Sequence, residues 1–301
     1  SRAAMSAQGA RDPTPVGGPP PAAQCARVYR LPREIELGLG VCNSGDALAG
    51  GVPPGGRLLW YFRHGESTGN VAKERAWALD KREGGDQHFK EYRTCADFVD
   101  TPLTDFGRRQ AAEAARQVAS WRAKPTLVVC SPLTRALQSA AILFERELAE
   151  GSVRLVVRPE LREFYPDNNE NQGRPLAELL CCQQLRGLPR WPEVEAALAD
   201  ASVADWREPW DTLWAQGAGW EAHCGSSERL DAFREWLAGQ KDERVAMVSH
   251  WGAINMLLNS EPWADGRPRS SKGPTPLAKR FDMPNCGWIA AIAAPSHAQS
   301  T

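Results

Sequence analysis

The chain has 301 residues, a formal net charge of -1, 42% apolar residues and 24% charged residues. That length holds one large domain or two small ones with a sizeable core, and the balanced charge excludes the basic footprint of a nucleic-acid-binding protein. No apolar run approaches the roughly 20 residues of a membrane span, and the N-terminus shows no apolar core of a secretory signal.

Eight cysteines lie at Cys25, Cys42, Cys95, Cys130, Cys181, Cys182, Cys224 and Cys286, none with CxxC spacing. A chain with its own core needs no disulfide framework, and no zinc site is signalled. Reduced thiols point to a cytoplasmic protein. The sequence begins at Ser1 rather than Met, which leaves an upstream transit peptide open.

Residues 1 to 55 are rich in Ala, Gly and Pro and read as a flexible N-terminal extension. From Arg57 the character changes. Leu58–Phe62, Thr126–Cys130, Val153–Val157 and Val245–Val248 are continuous apolar runs, with a fifth candidate at Trp288–Ala293. Such runs suit parallel strands covered on both faces. Thr104 or Asp105 caps a predicted helix to about Arg122, with Phe106, Ala111, Ala115 and Val118 on one side. A second helix is predicted over Arg135 to Leu148. A third opens at Ser226 or Ser227, with Leu230, Phe233 and Leu237 on one face. The segment 164–223 is long and irregular and holds Trp191, Trp206, Trp210, Trp214 and Trp220. It reads first as a helical insertion with its own aromatic core, a reading compatible with a lid over the active site. Strands alternating with helices predict a mostly parallel sheet between helical layers.

The chemistry lies in the turns that close the strands. After the first strand come Arg63 and His64; after the second, Ser131-Pro132-Leu133-Thr134-Arg135; after the third, Leu161-Arg162-Glu163; after the fourth, Ser249-His250-Trp251-Gly252. Parallel strands bring all four turns to one edge of the sheet, where open α/β folds bind ligands. Singly, each residue reads as a salt-bridge partner or a turn residue. Together, two arginines, two histidines and a glutamate suit a phosphoryl group, which carries about −1.5 to −2 charges at neutral pH. Arginine matches its oxygens with a planar donor fork. A neutral imidazole can attack phosphorus, and a carboxylic acid can protonate the leaving oxygen.

Five segments in this order resemble the histidine phosphatase superfamily, in its phosphoglycerate-mutase-like branch. They are Arg63-His64-Gly65-Glu66-Ser67-Thr68-Gly69-Asn70, Thr101-Pro102-Leu103-Thr104-Asp105-Phe106-Gly107, Ser131-Pro132-Leu133-Thr134-Arg135-Ala136, Leu161-Arg162-Glu163 and Val248-Ser249-His250-Trp251-Gly252. The resemblance implies a three-layer α/β/α sandwich with a mostly parallel central sheet and a helical insertion over the active site. Its catalytic domain would span 56–294, with the insertion at about 164–223 and a C-terminal tail at 295–301. It implies that His64 is the phosphorylated nucleophile and Glu163 the proton donor and later the base. Arg63, Arg135 and His250 would hold the phosphoryl oxygens, with Asn70 also facing the pocket. No metal or organic cofactor is implied.

Trp251 stands where the family commonly has a small residue, and would narrow the phosphate pocket. The stretch Phe164–Glu170 is acidic and polar, without the tyrosine, lysine and arginine set with which glycolytic mutases of the family grip a phosphorylated sugar acid. This favours hydrolysis, giving a phosphatase for phosphorylated small molecules or phosphoproteins, with neither nucleic acid nor membrane as partner. The alternatives are a phosphoglycerate-mutase-type phosphotransferase and a non-catalytic phospho-ligand-binding module.

Overall fold

A computed structural model describes residues 39–42, 56–163, 168–200, 227–259 and 283–293. Its centre is a six-stranded sheet of β1 (Leu39–Cys42), β2 (Arg57–Arg63), β3 (Leu127–Cys130), β4 (Arg154–Val157), β5 (Arg244–Ser249) and β6 (Trp288–Ala293). The strand order is β1-β6-β2-β5-β3-β4. Strands β2, β5, β3 and β4 pair in parallel, and β6 lies antiparallel between β1 and β2. The five apolar runs are these strands, each shifted by no more than one residue. Leu39–Cys42 falls inside the segment read as a flexible extension, yet pairs with Ala290–Ala293 at the sheet edge.

The continuous apolar character has a geometric cause. Side chains alternate across a strand, so a strand buried on both faces has no polar positions to alternate with. Leu58, Trp60, Phe62, Val128, Cys130, Ala246 and Val248 enter one apolar cluster, while Leu59, Tyr61, Leu127, Val129, Val245 and Met247 enter the other.

Helices close both faces. The first cluster is covered by α3 (Asp105–Ala119), α4 (Thr134–Leu143), α5 (Glu145–Ala149), α6 (Leu176–Cys181), α7 (Gln183–Arg186) and α8 (Trp191–Leu198). The second is covered by α9 (Ser227–Ala238) and α10 (Trp251–Asn259). The result is the expected three-layer α/β/α sandwich. Two helices not foreseen, α1 (Thr68–Glu83) and α2 (Gln87–Thr94), pack on one another beyond β2.

Three local details differ from the sequence expectation. The buried stripe of α3 is Gly107, Ala111, Ala114 and Val118, leaving Phe106 and Ala115 only half-buried. The helix expected over Arg135–Leu148 breaks at Phe144, whose ring is fully buried edge-on to Phe62. The described part of the insertion does not build a separate aromatic core. Leu179, Leu185, Leu188, Val194 and Leu198 join the core cluster of the sheet itself, with Trp191 packed against it. The tryptophans at 206, 210, 214 and 220, and the lid reading they prompted, lie outside the described residues.

The turn after β2 is pinned against the start of α3. Thr104 caps α3 through Gly107 N–H and gives its hydroxyl hydrogen to the Glu66 carboxylate at 2.7 Å. Backbone meets backbone here: a Cβ on Gly107 would stand 2.1 Å from the Glu66 carbonyl oxygen, and one on Gly65 would stand 2.6 Å from that of Gly107. Gly107→Ala is therefore expected to lower stability by about 1–3 kcal/mol, read as a lower urea midpoint. Gly187→Ala, whose nearest neighbour would be Gln183 O at 3.3 Å with ordinary backbone angles, should change it little. Equal midpoints for the two variants would contradict this account of the turn.

Candidate active site

The parallel register aligns the ends of β2, β5, β3 and β4, so that Arg63 pairs with Ser249 and Cys130 with Val248. Main-chain bonds continue past the strands, from His64 N–H to Ser249 O and from Ser131 N–H to Val248 O, each at 3.0 Å. Ser249 Oγ–H ties in the turn before Glu163 by donating to Leu161 O at 2.7 Å. His64, Ser131, Arg135 and His250 are thereby gathered into one buried group.

Hydrogen-bond partners define the state of His64. Its Nδ1 lies 2.6 Å from Gly65 O. A carbonyl only accepts, so in the neutral ring Nδ1 carries the hydrogen and Nε2 keeps its lone pair. Toward that lone pair Arg135 directs its Nε–H, at 3.2 Å. Burial holds the His64 pKa well below the usual histidine value, and the guanidiniums of Arg135 and Arg63 lower it further. The ring is a buried neutral imidazole whose Nε2 lone pair faces the Arg135 guanidinium.

Arg135 is 1% exposed. Its Nη1 donates to Glu170 O at 2.5 Å and its Nη2 to Asn171 Oδ1 at 2.7 Å. Among the described residues no carboxylate lies within 4.0 Å of it, and the Glu170 side chain pairs instead with Lys73 at 2.8 Å. All its partners are neutral. A buried charge is normally paired, and the carboxylates that answer this guanidinium, Asp100 and Glu170, do so through space without a direct bond to it.

His250 is fully buried, its ring centroid 5.0 Å from that of His64. Its Nε2 is 2.8 Å from Ser131 Oγ, and its Nδ1 has no hydrogen-bond partner among the described residues. Burial lowers its pKa well below the usual value, and Arg135 adds to this. Glu163 lies beyond β4, where its two oxygens accept the N–H groups of Gly252 and Ala253, each at 3.1 Å, at the start of α10. That is the cationic end of a helix dipole, and it brings the carboxylate next to the segment led by His250.

The remaining sequence-predicted residues take their places around this group. Arg63 donates Nη1–H to Met283 O at 2.7 Å, and its charge is felt at both imidazoles. Asn70 is buried in a reciprocal cap of α1 with Ser67: its Oδ1 accepts Ser67 N–H, and its own N–H goes to Ser67 Oγ. Trp251 opens α10, half-buried against the cluster on the α9 face. Among the described residues no group of three or more His, Cys, Asp and Glu is arranged to hold a metal ion.

Sequence reasoning did not single out several supports. Ser139 Oγ accepts Gly65 N–H and donates to Arg135 O, binding the His64 turn to α4. Asp100, buried and with φ of 47°, caps α4 from outside by accepting Thr134 N–H and Oγ1–H. Lys73, Glu170 and Asn171 were likewise missed. All are long-range partners, for which local spacing carries no signal.

The two buried imidazoles make stability depend on pH in a set direction. Their folded-state pKa values are lowered, so below about 6.5 the unfolded chain binds more protons than the folded one. The contribution is complete above that pH and is lost as pH falls, at about 1.4 kcal/mol per pH unit for each imidazole. Denaturant titrations between pH 7.5 and 5 should show falling stability, with a shallower slope in His250→Gln. A flat profile in the unaltered protein would contradict the buried neutral pair.

Comparison with known proteins bears on the same residues. The family model for the histidine phosphatase superfamily (branch 1) matches residues 59–180. Glucosyl-3-phosphoglycerate phosphatase of Mycolicibacterium vanbaalenii is 31% identical over 167 residues, covering 53% of this chain and 62% of that protein. The chain thus spans about three fifths of the length of this curated relative. Among solved structures, a mycobacterial glucosyl-3-phosphoglycerate phosphatase with VO3 overlaps 78% of this chain and 92% of its own, with 21% identity and a TM-score of 0.41. The alpha-ribazole phosphatase of Shigella flexneri overlaps 80% of this chain and 96% of its own, with 18% identity and a TM-score of 0.43. The segment similar to the histidine phosphatase superfamily (branch 1), residues 59–180, is the one that carries Arg63, His64 and Arg135.

Proposed function

We propose that the protein is a phosphatase that hydrolyses phosphate monoesters of small molecules through a phosphohistidine on His64. The observation that carries this reading is the Arg135 guanidinium, buried with only neutral hydrogen-bond partners and aimed at the lone pair of His64 Nε2. A phosphoryl group arriving at Nε2 meets a cationic donor and the nucleophile at the same point. The name of the curated relative supports the reaction class.

In the first step the Nε2 lone pair forms a bond to phosphorus, and the bond from phosphorus to the ester oxygen breaks. Glu163, as a carboxylic acid, gives its proton to that departing oxygen. In the second step Glu163 takes a proton from water, whose oxygen bonds to phosphorus as the Nε2–P bond breaks and its electron pair returns to the ring. The proton gained by Glu163 is the one it gives in the next turnover. Arg63 and Arg135 stabilise charge on the phosphoryl oxygens in both steps. His250 joins them: with Ser131 giving its hydroxyl hydrogen to Nε2, the buried Nδ1–H is the donor toward the phosphoryl group. Asn70, whose Oδ1 is engaged by Ser67 N–H, offers its amide NH₂, and Trp251 borders the pocket.

Turnover of 4-nitrophenyl phosphate is expected and should vanish in His64→Ala. Glu163→Gln should cost about 10²–10⁴-fold with an alkyl phosphate, and much less with 4-nitrophenyl phosphate, whose leaving oxygen needs little protonation. Activity persisting in His64→Ala, or an equal loss on both substrates in Glu163→Gln, would overturn the roles assigned.

A further inference from the structure

We propose that the short turn Asn168–Gln172, in the insertion that comes after Glu163, is a positioning clamp for the phosphoryl-binding arginine, with Asn171 as its specific side-chain contact. The inference rests on the phosphatase reading of Arg135 and names a residue that this reading does not require.

The geometry is that of a plane held at three points. A guanidinium is rigid and planar, with five N–H donors in fixed directions. Arg135 gives one to His64 Nε2, one to Glu170 O and one to Asn171 Oδ1. The last two acceptors come from adjacent residues of a 3-10 turn, Asn169–Asn171. They grip the two Nη atoms and so set the orientation of the Nε–H edge that faces His64. Each Nη carries a second N–H. When a phosphoryl group occupies Nε2, the Nε–H passes to one of its oxygens without any rotation of the plane.

The turn is itself anchored away from the sheet. The Glu170 carboxylate, 3% exposed, pairs with Lys73 of α1 at 2.8 Å. Asn169 O accepts the Asp100 N–H, and Asp100 caps the helix that carries Arg135. The Cα of Gly69 sits so close to this cluster that an added Cβ would lie 2.6 Å from both Glu170 Oε2 and Thr101 Oγ1. Arg135 is thus fixed from two sides, by α4 behind it and by a turn braced on α1 in front. A purely structural role for these contacts is the competing account. The two accounts differ in what they predict for the Arg135 donors: a structural role affects stability alone, whereas a clamp affects the Nε–H edge that faces His64.

The clamp sets where the donors stand, so its loss should weigh on the transition state more than on the bound ground state. Asn171→Ala is expected to lower kcat about tenfold or more while KM for 4-nitrophenyl phosphate changes less than about threefold. Inhibition by orthovanadate, which mimics the five-coordinate state, should weaken about tenfold, and inhibition by inorganic phosphate much less. Asn169→Ala is the control. Among the described residues its amide accepts from Gln172 within the same turn, at 2.8 Å, and does not touch Arg135, so kcat should stay within about twofold. Thermal midpoints of both variants are measured alongside. If Asn171→Ala does not fold, Asn171→Ser, whose hydroxyl is too short to reach Nη2, reads the same contact. Unchanged kcat and vanadate inhibition in a folded Asn171 variant would overturn the clamp, as would losses matched by Asn169→Ala. Absence of turnover in the unaltered protein would count against the phosphatase reading instead, and direct calorimetric binding of orthovanadate to both proteins would still test the clamp.

Discussion

A guanidinium buried at 1% exposure with only neutral acceptors is the constraint on which the site depends. Removing an ion from water is costly, and in proteins the cost is normally offset by an opposite charge. Here neutral hydrogen-bond acceptors take the donors, and the carboxylates of Asp100 and Glu170 act on the charge only through space. Much of the local structure serves to keep Arg135 where it is. Asp100 caps its helix from outside, Ser139 joins that helix to the His64 turn, and two glycines allow the same turn to touch α3 backbone to backbone.

The neighbouring imidazoles obey the same electrostatics. Two buried rings with centroids 5.0 Å apart are held neutral first by burial and then by the charge of Arg135. Neutrality is what a nucleophilic nitrogen needs. The bond from Nδ1–H to Gly65 O then decides which nitrogen is available. One residue therefore does two things to His64: Arg135 adds to burial in suppressing its protonation, and its Nε–H fixes the lone-pair side of the ring, where the proposed mechanism brings the phosphoryl group.

The fold is legible in the sequence to the extent that strands are written as continuous apolar runs. Leu58–Phe62 and Val245–Val248 announce burial on both faces, and burial on both faces announces a parallel sheet. From there the convergence of His64, Arg135, Glu163 and His250 is a topological consequence. Other elements carry no such pattern. Helix α1 buries Gly69, Asn70, Ala76 and Asp80, a set with no apolar period to detect. The stripe of α3 is misplaced from sequence because Phe106 looks like a core residue, yet Gly107 is the one that must be buried for the glutamate turn to approach. Glu170 and Asn171 sit in a stretch that reads only as acidic and polar. Their contact is with Arg135, 35 and 36 positions away, and that pairing exists only once the insertion has folded onto the core.

The account stands or falls on a covalent bond between phosphorus and His64 Nε2. The most direct measurement is rapid quenching of the unaltered protein during turnover of a ³²P-labelled aryl phosphate, with subsequent mapping of the labelled peptide. The account predicts label that is stable in alkali, lost in acid and confined to the peptide containing His64. Turnover with no protein-bound label at any quench time, or label stable in acid on a different residue, would contradict it.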